Sequence, residues 1–141
     1  MIESPRIVIV GVGSIGSKHI DTLLAMGYHD LVGIDTRSMP HEERLPVVDS
    51  FEDINYWGAT HALICSPPDF HYKHASYFLG QGIPTFIEKP MTVNVHNANE
   101  LLCAATEHNT YIGVGYMERA HPIVQAAKDF IERNGCVKAE L

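Results

Sequence analysis

An open, doubly wound α/β sheet of six parallel strands is the fold this sequence predicts, and three observations predict it. Short, almost wholly apolar runs recur along the chain, as strands buried on both faces require. Stretches of helical periodicity separate these runs, so strand and helix alternate. The first run, Ile7 to Val10, passes without a break into Gly11-x-Gly13-x-x-Gly16, and a helical pattern follows at once.

Each element can be justified in turn. After the glycines, Ile20, Leu23 and Leu24 mark one helical face, and Gly27 stands where a helix closes on a left-handed residue. Leu31-Val32-Gly33-Ile34-Asp35 reads as a second buried strand ending in an acid. Pro40 and Pro46 restrict Met39 to Leu45 to a helical turn or two, and Leu45 to Val48 suits a short edge strand. Ser50-x-x-Asp53 has the spacing of a capping box over one helical turn. His61 to Cys65 is a further strand, stopped by Ser66-Pro67-Pro68, after which a helix capped by Asp69 runs to about Leu79 with Gly80 and Gly82 beyond it. Thr85-Phe86-Ile87-Glu88 is the next strand, cut by Lys89-Pro90. Ala98, Leu101, Leu102 and Ala105 give one face of a helix. Thr110 to Gly115 makes the sixth strand, and Pro122 to about Arg133 a last helix closed by Asn134-Gly135. A parallel sheet covered on both faces follows from this alternation.

Composition narrows the function. The 141 residues make one domain with room for a real core. Net charge is −7 and no Lys/Arg cluster occurs, which argues against nucleic acid and anionic membranes as partners. No apolar run approaches a membrane span, and Met1 to Pro5 lacks the regions of a signal peptide. Cys65, Cys103 and Cys136 are widely spaced without a C-x-x-C pair; they read as reduced thiols of a cytoplasmic protein.

The glycine run carries a mechanism. Gly11 allows a tight turn out of the strand, Gly13 lets backbone approach a pyrophosphate, and Gly16 lets the helix pack on its strand. The helix start, at Ser14 and Ile15, offers free N–H groups and the positive end of its dipole to phosphate, with the Ser14 hydroxyl as a further donor. A tight turn with no ligand is the other reading of the glycines alone. Asp35 falls 19 positions after Gly16, where a dinucleotide fold needs an acceptor for ribose hydroxyls. It would repel a 2′-phosphate by roughly 4 kcal/mol, which favours NAD over NADP. Arg37, two residues on, offsets part of that repulsion. Taken alone, Asp35 also suits a turn-starting acid. Glu88-Lys89-Pro90 ends a central strand on the edge where such sheets bind ligands, and an ammonium there favours the alkoxide-like form of a substrate hydroxyl. On spacing alone it is simply a polar strand end.

In this order, the glycine loop, Asp35, Ser66-Pro67-Pro68-x-x-His71, Glu88-Lys89-Pro90 and Val114-Gly-Tyr-Met-Glu-Arg-Ala-His-Pro122 resemble the Gfo/Idh/MocA family of NAD(P)-dependent oxidoreductases. The resemblance covers the whole chain, but only the family's amino-terminal, cofactor-binding half. It implies a Rossmann fold and hydride transfer between nicotinamide and a sugar or sugar-nucleotide hydroxyl. It also implies that Ser66, Pro67 and His71 border the nicotinamide-side groove, that Glu88 approaches the cofactor's ribose, and that Lys89 reaches the reacting hydroxyl. A cis bond before Pro90 is expected, with Arg119 near the cofactor and the domain junction. Tyr116 to Pro122 is similar to a subgroup oxidising UDP-N-acetylhexosamines, with Ala120 where an aromatic is common. The family's acid/base residues lie in a carboxy-terminal α/β domain. Residues 1–135 are therefore expected to form the dinucleotide-binding domain, and 136–141 to open the absent second domain. On that expectation the chain alone does not turn over substrate. A frayed tail is the other reading of 136–141.

Other candidates carry less. His71 and His74, at i and i+3, lack a third ligand and read as a solvated helix face, so no metal is expected. His19 reads as a polar helix position. Tyr56 and Trp57 read as packing residues, and Tyr72, Tyr77 and Phe78 as rings partly buried against the sheet. The alternative from another class is a non-catalytic nucleotide sensor, such as a potassium-channel regulatory domain; Glu88-Lys89-Pro90 speaks against it. A methyltransferase ranks third, since it needs a roomier cofactor pocket. An unprotected final strand would allow pairing with another copy, hence a homo-oligomer.

Overall fold

A computed structural model describes residues 4–37, 44–54 and 57–135; the readings of Met39, Pro40, Tyr56, Cys136 and the strand at 136–141 lie outside them. Among the described residues, six strands form one sheet. They are β1 (Ile7–Val10), β2 (Leu31–Ile34), β3 (Val47–Val48), β4 (His61–Ile64), β5 (Thr85–Ile87) and β6 (Ile112–Val114). Every neighbouring pair is parallel, in the spatial order β3-β2-β1-β4-β5-β6. The helices are α1 (Ser14–Ala25), α2 (Pro68–Leu79), α3 (Val95–Glu107) and α4 (Pro122–Asn134), with 3₁₀ turns at Glu52–Ile54 and Met117–Ala120. This is the doubly wound Rossmann sheet that the sequence predicts.

Period-two geometry sends Ile7 and Ile9 to one face of β1 and Val8 and Val10 to the other, and all four are buried. Ile7 and Ile9 pack with Val12, Ile20 and Leu63 on the α1 side. Val8 and Val10 join Ile64, Phe78, Ile87 and Leu101 on the side of α2 and α3. Two cores set back to back are why the strands read as unbroken apolar runs. Trp57, Tyr72 and Tyr77 pack partly buried against the second core, while Phe78 is fully enclosed.

Strand order reverses between β1 and β4. Right-handed crossovers running outward from that point place α1 on one face and α2 and α3 on the other. The loops after β1 and β4 consequently diverge into a crevice at the carboxyl edge.

Several details differ from the sequence expectation. α2 begins at Pro68 with Pro67 at the N-cap position and no side-chain cap, so Asp69 lies inside the first turn. Proline suits that place because its missing N–H has no intrahelical acceptor to lose. Leu102 is 48% exposed while Leu101 and Ala105 are buried, because α3 turns the latter pair toward α2 and the sheet. The sheet is not covered throughout: on the α1 side of β4 to β6 an apolar groove of about 580 Å³ stays open, lined by Leu23, Leu63, Phe86 and Ile112 among others. α4 forms as expected, yet none of its residues is buried. Among the described residues no helix is long and apolar enough to cross a membrane.

Candidate cofactor-binding site

Steric contact dictates the glycine loop. Gly11 leaves β1 at φ +90°, and a Cβ there would stand 2.7 Å from the Ser66 nitrogen. A Cβ on Gly16 would overlap the Gly11 carbonyl oxygen, so only a hydrogen lets α1 pack this close. Gly13 differs. A Cβ there would meet only the Arg37 Nη2, at an ordinary 3.4 Å. The fold itself does not require a bare Gly13, and its openness serves whatever approaches the start of α1. Gly13 is the N-cap of α1 and supplies no side-chain cap, while Ser14 and Ile15 are exposed. The first-turn N–H groups of Ser14, Ile15 and Gly16 have no acceptor within the helix.

Asp35 follows β2 and turns back to this loop. Its Oδ2 accepts from the Val12 N–H at 3.0 Å and from Arg37 Nη2 at 3.1 Å. Its Oδ1 accepts from the Arg37 N–H at 3.0 Å and Arg37 Nε at 3.1 Å. Burial pushes this carboxyl up, but the hydrogen bonds from Arg37 and Val12 outweigh it and hold the group below the usual carboxylate range. The Asp35 side chain is 6% exposed and that of Arg37 66%, so the acid is fixed and its partner lies at the surface.

The opposite lip comes from β4 and β5. Ser66 is buried after β4; its hydroxyl lies 2.9 Å from His74 Nδ1, and its carbonyl 2.7 Å from His71 Nε2. Pro67 carries the chain into α2. His71 is 1% exposed and sits behind the Ser66 turn, its Nδ1 2.8 Å from the Pro90 carbonyl oxygen. The solvated face expected for His71 and His74 is thus corrected: α2 turns it inward, where both rings find polar partners. Burial, with Lys73 and His71 nearby, pushes His74 down to about 4. Among the described residues no group of three His, Cys, Asp or Glu side chains could hold a metal.

Glu88 follows β5 and is buried. Its Oε1 lies 2.7 Å from His19 Nε2, and its Oε2 accepts from the Lys89 N–H at 3.3 Å. Lys89 is exposed, and the Lys89–Pro90 peptide is cis, as the resemblance implies. Burial, and then the Glu88 charge, push the Cys65 thiol up to about 12, so it stays protonated. Arg119 lies on the turn after β6, exposed, its guanidinium 5.2 Å from the centre of the Tyr116 ring.

The fold therefore gathers Gly11, Gly13, Ser14, Ile15, Gly16, Asp35 and Arg37 on one lip and Ser66, Pro67, Glu88 and Lys89 on the other. His71 lies beneath the second lip and Arg119 beyond it. Sequence reasoning missed His19, which reaches from α1 to the end of β5. The signal was its spacing: Gly16 must face the strand, and a residue three positions on shares that face.

A helix start without a side-chain cap, a glycine loop bared by close contact, and a fixed acid at the end of β2 define a dinucleotide-binding α/β domain. Sequence comparison narrows the class. Residues 5–129 match the model of an oxidoreductase family with an NAD-binding Rossmann fold, and the chain belongs to that family, Gfo/Idh/MocA. It is similar to a myo-inositol dehydrogenase of Streptomyces leeuwenhoekii, 25% identical over 122 residues, 82% of this chain and 38% of that protein. The UDP-N-acetylglucosamine 3-dehydrogenase of Acidithiobacillus ferrooxidans is 31% identical over 62 residues, 44% of this chain and 20% of that protein. Among solved structures, the WlbA dehydrogenase of Thermus thermophilus in complex with NAD and UDP-GlcNAcA superposes with a TM-score of 0.83 at 18% identity, covering 95% of this chain and 48% of that chain. This chain spans less than half the length of each of these proteins.

Proposed function

We propose that this chain is the cofactor-binding half of an oxidoreductase that passes hydride between the nicotinamide of NAD and a carbon of a sugar or sugar nucleotide. The observation that carries the reading is one sheet edge with two lips: the glycine loop and Asp35 on one, the exposed Lys89 on the other. NAD, when bound, supplies the hydride acceptor. The N–H groups of Ser14, Ile15 and Gly16 hold its pyrophosphate, which Gly11 and Gly13 let come close. Asp35 accepts from the adenosine ribose and disfavours a 2′-phosphate, with Arg37 offsetting part of that preference. Ser66 and Pro67 border the nicotinamide side, with His71 supporting them from below. Glu88 stands behind Lys89, toward the cofactor's ribose, and Arg119 closes the far side. The Lys89 ammonium donates a hydrogen bond to the substrate oxygen and favours its alkoxide-like form. Proton transfer falls to the carboxy-terminal domain that the family resemblance implies. The inositol and UDP-N-acetylglucosamine dehydrogenases among its relatives support a polyhydroxylated ring as substrate.

Calorimetric titration of the 141-residue protein with NADH and NADPH tests this reading. NADH is expected to bind, and NADPH more weakly. Absence of binding by either at millimolar concentration removes the proposal.

A further inference from the structure

We infer that His19 and His71 are positioning residues that brace the Glu88-Lys89-Pro90 turn from its two sides. Their role in the reaction rests on the reading that Lys89 reaches a substrate oxygen, while the brace itself belongs to the ligand-free fold. Lys89 is exposed, and a flexible lysine stem is aimed no better than the backbone it leaves. Both of its neighbours are held.

On one side, α1 brings His19 Nε2 to 2.7 Å from Glu88 Oε1. The other Glu88 oxygen accepts the Lys89 N–H at 3.3 Å, so the carboxylate is engaged at both ends. The His19 ring also stands edge-on to Phe86, centre to centre 6.2 Å, which limits its rotation. On the other side, α2 brings His71 Nδ1 to 2.8 Å from the Pro90 carbonyl oxygen. The same ring reaches the Ser66 carbonyl oxygen at 2.7 Å and so ties the end of β4 to the turn after β5.

The two contacts of His71 restrict its chemistry. Carbonyl oxygens only accept, so the ring donates through a nitrogen that carries hydrogen and packs its other edge against the facing turn, in a place 1% exposed. His19 adds a connection of a different kind. It stands one helical turn past Gly16, so a shift of the phosphate-facing helix is transmitted through Glu88 to Lys89.

Nuclear magnetic resonance on the isotope-labelled, ligand-free chain tests the brace. A slowly exchanging His71 ring N–H is expected, and Glu88→Gln is expected to move the ring signals of His19 and leave those of His71 in place. The Lys89 amide order parameter is expected near about 0.85 in the parent, below about 0.6 in His19→Ala, and restored in His19→Gln. Dispersed spectra in both variants verify that they are folded. A His71 ring N–H that exchanges freely with solvent, a His19 ring indifferent to Glu88→Gln, or a Lys89 amide equally rigid in His19→Ala overturns the brace. NADH titration is read separately: failure to bind refutes the proposed function and leaves the brace standing or falling on these signals.

Discussion

The first β–α–β unit and the second build their shares of the crevice from different materials. In β1–α1–β2 the site is mostly main chain: glycines pressed against neighbouring backbone, bare amides at the start of α1, and the side-chain pair of Asp35 and Arg37. In β4–α2–β5 it is mostly side chain: Ser66, His71 and Glu88, tied to His74, to the backbone of the two turns and to His19, with the Lys89 side chain exposed beside them. A phosphate is recognised by amides at close range, so sterics govern the first unit. In the proposed function the second unit has an ammonium to aim, and there hydrogen-bonding chemistry governs.

The strongest way to break this contrast is Gly16→Ala. The new Cβ would overlap the Gly11 carbonyl oxygen, which is backbone and cannot step aside. A loss of about 3 kcal/mol is expected, read as a lower urea midpoint, with NADH affinity lost alongside. Ser66→Ala on the other lip removes one hydroxyl contact and should cost about 1 kcal/mol. Equal losses at the two positions would erase the distinction.

A pH series sharpens it next. His74 is pushed down to about 4 in the fold, against about 6.5 for an unperturbed ring. Between those values the unfolded chain binds the extra proton. Stability should therefore be intact above about pH 6.5 and decline as pH falls toward 4, by about 2 kcal/mol once partial exposure is allowed for. His74→Gln should flatten that part of the denaturation profile; an unchanged slope would place the titration elsewhere.

The last effect, on cofactor preference, belongs to Asp35 in the first unit. Asp35→Asn removes the negative charge and should shift the NADPH-to-NADH affinity ratio about tenfold toward NADPH in calorimetric titrations. A constant ratio would mean that Asp35 does not face the ribose.

The same division explains what the sequence made legible. Strands buried on two faces appear as apolar runs, and the glycine loop appears as a motif because its contacts are short-range and leave no choice of residue. Asp35 could be placed by counting from Gly16. The brace could not. His19 meets a carboxylate 69 positions away, and His71 a carbonyl 19 positions away, and no local pattern announces either partner. Histidines on a helix read as outward-facing unless their partners are known, which is why the sequence alone points the His71 and His74 face of α2 to solvent. Leu102 and the open groove beside β5 depend on which elements cover which, a property of packing alone. The helix start at Pro68 instead of Asp69 is a one-residue ambiguity inherent in a double proline.

One consequence of the Asp35 geometry concerns the order of events. Two donors already meet each of its oxygens, which fills the roughly four lone-pair positions of a carboxylate. A ribose hydroxyl arriving there has no vacancy to join and must evict a resident. The Val12 amide is part of the loop and stays, so the guanidinium of Arg37 is the tenant that leaves. In the proposed function, nucleotide capture at this corner would thus be a trade, in which Arg37 competes with the molecule that Asp35 is proposed to hold.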